Sequence, residues 1–444
     1  MSIQARVLLL AKDQQWPERL GAELDRLGWR TITAYRADAA LACIGDLQIE
    51  AVLIDAAHPD CSADLVNKLR EACAPRRLPI VQVTSSGQYN IPDGWDMVYD
   101  REAHPQQIVL GLEHMVRANV AEEEYDLRHE TLTALGLAIP PRDDDKPLAI
   151  LSVGPADPDF LALSHTLRAR GVDLYAAFTS YSAFDYLHDK TFDAVVLWGR
   201  ESVAEALSIA SGMRRNTRLY HTPVFLRLQK SVELDLGDAF LRGVNDVSAP
   251  GAQEVEIADR VLRLARAYRR QSNTRQALEA VNHSPYMDKG TGLFTRDLFA
   301  AHLARLAKAS SQRNRPLSVC VLKISENPEI SQARMRKALE RAMPQIGSMI
   351  SRLVRAEDTA GRLSEEVFAL ALPATPEGAA RIVGERIAAV ISCTAFEAGT
   401  GRSPFVVEFD VGVAELIEGE PVAEALTRAA QQIRPSSSDI DQAV

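Results

Sequence analysis

Residues 355–368 read RAEDTAGRLSEEVF. Arg355 and Asp358 stand within one turn of each other, and six residues after Asp358 begins the run Ser364-Glu365-Glu366-Val367-Phe368, which reads as a hairpin. A planar guanidinium matches two acceptors on one edge of a flat ligand, and a carboxylate matches two donors on another. An Arg-x-x-Asp pair alone is commonly a solvated ion pair at a helix end, worth little energetically. Its register against the acidic hairpin is what favours a functional reading.

Outward from that stretch, the apolar run LSVCVLKIS (317–325) supplies a strand ahead of the hairpin, and Asp288-Lys289-Gly290-Thr291-Gly292-Leu293-Phe294-Thr295-Arg296 opens the segment, which extends to about Ile433. These motifs resemble the GGDEF domains, the diguanylate cyclases that make cyclic di-GMP. The entry corresponds to that family's DxLTGLxNR, and Arg355 with Asp358 to its RxxD. Residues 364–368 correspond to its Gly-Gly-Asp/Glu-Glu-Phe hairpin, of which only the acid Glu366 and Phe368 are kept. The resemblance implies an α/β domain with a mixed central sheet over residues 287–435. In that family RxxD binds the product and the hairpin makes it.

By the same resemblance the catalytic half is lost at five independent places. Lys323 stands where the family has a metal-binding aspartate, and Ser325 at the next acidic position. An ammonium cannot ligate Mg²⁺, so Lys323 is expected to pair with Glu366 instead. Ser364 and Glu365 replace glycines whose bare backbone approaches phosphate, and Val367 replaces an acid. The guanine-recognition motif has no counterpart in ENPEISQARMRK (326–337), and the family's terminal phosphate-binding lysine is absent from Arg428-Ala429-Ala430-Gln431-Gln432-Ile433-Arg434-Pro435. Phosphoryl transfer is mostly positioning and charge neutralisation, so these losses predict no enzyme and no bound Mg²⁺.

The binding half is kept. Guanine offers O6 and N7 to an arginine fork and N1–H and N2–H₂ to a carboxylate. Arg355 is therefore expected on the first edge and phosphate of cyclic di-GMP, and Asp358 on the second. Arg386, in ARIVGERIAAV, falls at the family's secondary half-site, and Arg352, one turn before Arg355, adds charge.

Towards the N-terminus two segments repeat one pattern of short apolar strand and amphipathic helix. Strands are expected at Val7–Ala11, Thr31–Ala34, Ala51–Asp55 and Pro79–Thr84, and again near Leu148–Val153, Val172–Ala177, Ala194–Trp198 and Pro223–Leu228. Alternation of this size implies two flavodoxin-like, doubly wound parallel sheets with chemistry at the strand carboxyl ends. Both resemble response-regulator receiver domains. In the first, Asp55 matches the phosphoacceptor, Thr84 the hydroxyl position, Asp13 the acid pocket and Arg101 the lysine, while Ala11 and Lys12 replace the paired acids. Asp55 is then either a phosphoacceptor or a solvated strand-end acid in a docking domain. In the second, Trp198, Leu228 and Ala249 replace the phosphoacceptor, the hydroxyl residue and the lysine, so an adaptor used for packing and dimerisation is expected.

The expected organisation is a receiver-like domain at 1–120, a linker or helix extension at 121–146 ending in the break IPPRDDDKP (139–147), and a second receiver-like domain at 147–270. A helical stem at 271–286, the degenerate GGDEF domain at 287–435 and a disordered tail at 436–444 follow. Length agrees: 444 residues are too many for one core. The chain is 46% hydrophobic and carries a net charge of −10, which argues against broad nucleic-acid binding. No long apolar run suggests a signal peptide or membrane span, and the five scattered cysteines suggest reduced, mostly buried thiols in the cytosol without a metal site.

The function expected is thus a non-catalytic cyclic di-GMP effector, homodimeric through its receivers. Resemblance to non-cyclase proteins of this layout implies an adaptor role in delivering cell-cycle substrates to the ClpXP protease, with proteolytic-adaptor and polar-localisation partners at a cell pole. The alternatives are a residual diguanylate cyclase and a phosphorylation-gated scaffold independent of nucleotide.

Overall fold

The computed structural model describes residues 5–85, 94–136, 146–200, 202–230, 234–280, 287–399 and 402–433. Most of the acidic break (139–145), part of the stem (281–286), Arg434, Pro435 and the tail lie outside these residues. The chain divides into two units, Ser2–Asn119 with Arg142–Asn273, and Val120–Pro141 with Thr274–Val444.

The first unit contains two parallel sheets. One is built from β1 (Arg6–Leu10), α1 (Gln15–Arg26), β2 (Arg30–Ala34), α2 (Ala37–Asp46), β3 (Ala51–Asp55), α3 (Ala63–Cys73), β4 (Ile80–Thr84) and β5 (Met97–Asp100), with α4 (Pro105–Ala134) following. Its strand order is β2-β1-β3-β4-β5, the flavodoxin-like winding. Every residue of β3, AVLID, is buried, as a strand covered on both faces requires. Val7 and Leu9 face one core and Leu8 and Leu10 the other.

The second sheet repeats the plan with β6 (Ala149–Val153), α5 (Pro158–Arg168), β7 (Asp173–Ala177), α6 (Ser180–Asp189), β8 (Ala194–Gly199), α7 (Ala204–Arg215), β9 (Val224–Leu228), α8 (Leu236–Leu241), β10 (Asp246–Ser248) and α9 (Glu254–Ala280). The order β10-β9-β8-β6-β7 is the same winding. Local signals fix the helix starts: Asp157 caps α5 ahead of Pro158, and Thr179 with Ser182 forms a capping box on α6.

The second unit contains a mixed sheet. Its elements are β11 (Phe294–Thr295), α10 (Arg296–Arg313), β12 (Leu317–Ile324), α11 (Pro328–Met335), α12 (Ala338–Leu353), β13 (Thr359–Arg362), β14 (Val367–Pro373), α13 (Glu377–Ser392), the small pair β15 (Ala395–Phe396) and β16 (Phe405–Val406), β17 (Phe409–Glu415) and α14 (Val422–Gln431). The order is β11-β13-β14-β12-β17, with β11 parallel to β13 and the other neighbours antiparallel. Helix α12 buries Leu339, Ala342, Met343, Ile346 and Ile350 along one stripe. Gly347 on that stripe is required by close approach, since a Cβ would lie 2.1 Å from the Thr291 carbonyl oxygen.

The unit boundaries fall inside α4 and α9. Residues 121–134 are more than a helix extension: Leu132 is 2% exposed in a core with Phe294, Phe299 and Leu303. The cysteines are less uniformly buried than expected, for only Cys73 and Cys320 are buried, Cys43 and Cys61 are half-buried, and Cys393 is exposed. Among the described residues no helix is long and apolar enough to cross a membrane.

Candidate functional site

Two candidate sites bracket β13. At its start, α12 ends at Leu353 and the chain turns through Arg355–Asp358, closed by the Asp358 N–H donating to the Arg355 carbonyl at 3.1 Å. The Asp358 side chain folds back, its Oδ2 accepting from the Arg355 N–H at 2.9 Å. Asp358 is 6% exposed, and its Oδ1 has no hydrogen-bond partner among the described residues. Burial and the neighbouring Glu357 charge push its carboxyl from the ordinary 3.8 up to about 8. Arg355 is half-buried, with Nη1 3.9 Å from Glu357 Oε1. Arg386 reaches over from α13 and donates to the Leu353 carbonyl at 2.8 Å, while Arg352 is exposed on the last turn of α12. The turn thus gathers Arg355 and Asp358 from the loop after α12 and Arg386 from α13.

Sequence reasoning missed the residue behind this turn. Arg128 of α4, 3% exposed, donates from Nη2 to Thr359 Oγ1 at 3.0 Å and to the carbonyls of Ala356 and Asp358, each at 3.4 Å. It also binds Glu124 Oε1 at 2.8 Å, an oxygen shared with His302 Nε2 at 2.8 Å. Burial opposes the Glu124 charge, but His302 and Arg128 together hold its carboxyl below the usual range. The spacing of Glu124 and Arg128, one helical turn apart, was the available signal.

At the other end of β13 the hairpin Leu363–Glu366 leads into β14, beside a cavity of about 750 Å³ lined by Asp288, Arg296, Arg334, Lys337, Arg362 and Glu366 among others. The expected Lys323–Glu366 pair is not formed. Glu366 is held bidentately by Arg334 of α11, at 2.6 and 2.8 Å, and the same guanidinium binds Glu326 at 2.6 Å. A fork from α11 engages both carboxylate oxygens at once, which a point-like ammonium cannot do. Lys323 is exposed on β12, opposite Val367 and Asp410. Arg362 donates to Asp288 at 3.1 Å and to the carbonyls of Ser364 and Glu365. Ser364 and Glu365 are exposed at the tip, and Val367 is half-buried.

In the first parallel sheet Asp55 is 1% exposed, which corrects the solvated-acid reading. Its Oδ2 accepts from Arg101 Nη2 at 2.6 Å, and the Arg101 guanidinium lies 5.8 Å from the Trp16 ring centroid. Thr84 is buried at the end of β4. Asp13 is exposed and turned towards the amides of Gln15 and Trp16, at 3.2 and 3.5 Å. Among the described residues no three Asp, Glu, His or Cys side chains converge as a metal site. At the equivalent strand end of the second sheet, Trp198 is 7% exposed, packs 5.5 Å from Phe160 and donates from Nε1 to Ser152 at 3.0 Å. Gly154 makes room for it, since a Cβ there would lie 2.6 Å from Trp198 Cβ. Leu228 is buried, and the Ala249 carbonyl accepts from buried Arg227 at 2.8 Å.

A model of the diguanylate cyclase GGDEF domain matches residues 285–437. Among solved structures, the chain is similar to the FimX GGDEF domain of Pseudomonas aeruginosa at 17% identity, with 34% of this chain and 92% of that chain covered and a TM-score of 0.31. It is similar to the DgcB GGDEF domain of Caulobacter crescentus in complex with c-di-GMP at 19% identity, 34% and 85% coverage and a TM-score of 0.31. It is also similar to the diguanylate cyclase SiaD of P. aeruginosa, in complex with its activator SiaC, at 23% identity, 37% and 62% coverage and a TM-score of 0.32. No curated protein sequence matches the chain.

Proposed function

Residues 285–437 being a GGDEF domain of the diguanylate cyclase family, we propose that this chain reads cyclic di-GMP and does not make it. The observation that carries the reading is the contrast across β13. Arg355, Asp358 and Arg386 are gathered at one end, where Asp358 keeps a carboxylate oxygen without a hydrogen-bond partner among the described residues. At the other end the hairpin acid Glu366 is already neutralised by Arg334. With Lys323 at the place of a metal-binding carboxylate, the acids needed to hold Mg²⁺ against a triphosphate are too few.

The parallel-sheet domains would then act as receiver-like modules for dimerisation and localisation in the cytoplasm. Layout and losses resemble PopA, the non-cyclase paralogue of the response-regulator cyclase PleD. On that resemblance, ligand binding favours an arrangement that recruits partners and delivers cell-cycle substrates to ClpXP at a cell pole. Calorimetry with cyclic di-GMP, run beside a GTP turnover assay, tests the reading. Saturable binding without turnover supports it; turnover above a mock purification favours a residual cyclase. The buried Asp55–Arg101 pair favours a second reading, a phosphorylation-gated scaffold, which would require Asp55→Asn to abolish partner binding while Arg355→Ala leaves it intact.

A further inference from the structure

Asp358 is the residue the ligand needs and the one it cannot reach. Its carboxylate is 6% exposed, with one oxygen spent on the Arg355 N–H. Behind the turn, Asp358 lines a cavity of about 70 Å³ together with Arg128, Leu278, Glu279 and Phe294. The space is a small fraction of the roughly 750 Å³ beside the hairpin. The walls that close it on one side are the distal part of α4 and the end of α9, both within the same unit as the turn.

The α4 wall is held to the domain by Leu132 in the core, by Thr131 against His302 and by Glu123 against Arg315, and at the turn itself by Glu124 and above all Arg128. Arg128 donates to the carbonyls of Ala356 and Asp358, to Thr359 Oγ1 and to the Leu278 carbonyl, while Glu124 orients its guanidinium and bonds His302. The fastening leaves defects. Glu124 Oε2 and Asp358 Oδ1 are both buried without a hydrogen-bond partner among the described residues, and orphaned buried acceptors destabilise the arrangement that buries them. The closed form is held by specific polar contacts and opposed by the burial of two acids, which are the properties of an element able to open.

We propose that α4 residues 120–134 and α9 residues 274–280 form a displaceable cover over the Arg355–Asp358 turn, latched by Arg128, and that cyclic di-GMP and the cover compete for Asp358. This inference rests on the proposed binding reading and adds its regulation: the ligand binds the uncovered form, and binding frees the two helix segments from the domain. The observed affinity is then the intrinsic affinity scaled down by the fraction of uncovered molecules.

Hydrogen exchange on the full chain tests this directly. Adding cyclic di-GMP should slow exchange at residues 355–362 and speed it at 120–134; slower exchange at 120–134 overturns the cover. In parallel, calorimetry compares the full chain with the double substitution Glu124→Gln, Arg128→Met, which removes the latch and the buried charges together. The variant should bind about threefold tighter or more. Equal or weaker binding by a variant that melts cooperatively overturns the cover while leaving the binding reading intact. Should the variant not fold, the exchange measurement on the unaltered chain decides alone. Binding by neither protein, with no protection at 355–358, overturns the binding reading and the cover with it.

Discussion

Strand β13 is four residues long and carries acids of opposite circumstance at its two ends. Asp358, at the start, is buried, capped by a backbone N–H and, among the described residues, without a hydrogen-bond partner on its second oxygen. Glu366, past the far end, is held by both arms of the Arg334 guanidinium on the rim of an open cavity. An acid already neutralised by a protein cation has little left to offer a metal ion or a ligand, whereas an acid buried without its counter-charge gains from any donor that reaches it. The same short strand therefore separates a spent site from an unspent one.

The contrast breaks most visibly through ligand affinity. Arg355→Ala should weaken cyclic di-GMP binding tenfold or more, because a lost bidentate guanine contact costs roughly 1–3 kcal/mol. Arg386→Ala should cost less, since on the proposed reading Arg386 would serve only a second half-site; calorimetric affinities unchanged in both would erase the unspent site.

Next in size is the pH dependence carried by Asp358. Its carboxyl is raised to about 8 in the folded protein, while guanine donors require the carboxylate, so binding must expel a proton. Affinity should fall as pH drops below 8, by at most about tenfold per unit. The corresponding stability runs the opposite way: a group whose folded value is raised contributes fully below its ordinary 3.8, and that contribution is lost as pH rises towards about 8. Asp358→Asn should flatten this slope in thermal melts between pH 4 and 8, and an unchanged slope would remove Asp358 as its source.

Smaller still is the effect of the spent acid. Arg334 and Glu366 side chains are 43% and 20% exposed, so Arg334→Ala should change stability by no more than about 1 kcal/mol in denaturant titration. A larger loss would mean that the pair organises the hairpin. The smallest expected effect is none: Ser364→Gly, Glu365→Gly and Val367→Glu together should not produce GTP turnover, because Lys323 and the absent terminal lysine are untouched. Turnover at a rate typical of working cyclases would show that the alignment placing Lys323 in the metal site is wrong.

Much of the fold was legible. Runs such as AVLID and AVVLWG, almost wholly apolar and set between amphipathic helical stretches, read as strands covered on both faces, and the structure buries every residue of each. The Arg355–Asp358 turn was legible because its residues are local, and proximity along the chain guarantees proximity in space. The pairing of Glu366 was not. Arg334 lies 32 residues earlier on a helix, whereas Lys323 is close in strand register, opposite Val367, and exposed. Asp55 was placed correctly at its strand end, yet its burial under Arg101 depends on a residue 46 positions away.

The sequence by itself determined the two parallel sheets through periodicity, and the mixed sheet, the turn and the hairpin replacements through resemblance of short motifs, because both encode backbone geometry and local chemistry. Only the tertiary structure decided which charges cancel. Arg128 reaches the turn across 230 positions of chain, and Arg334 rather than Lys323 satisfies Glu366, because hydrogen-bond reach and desolvation are set by which helices pack together.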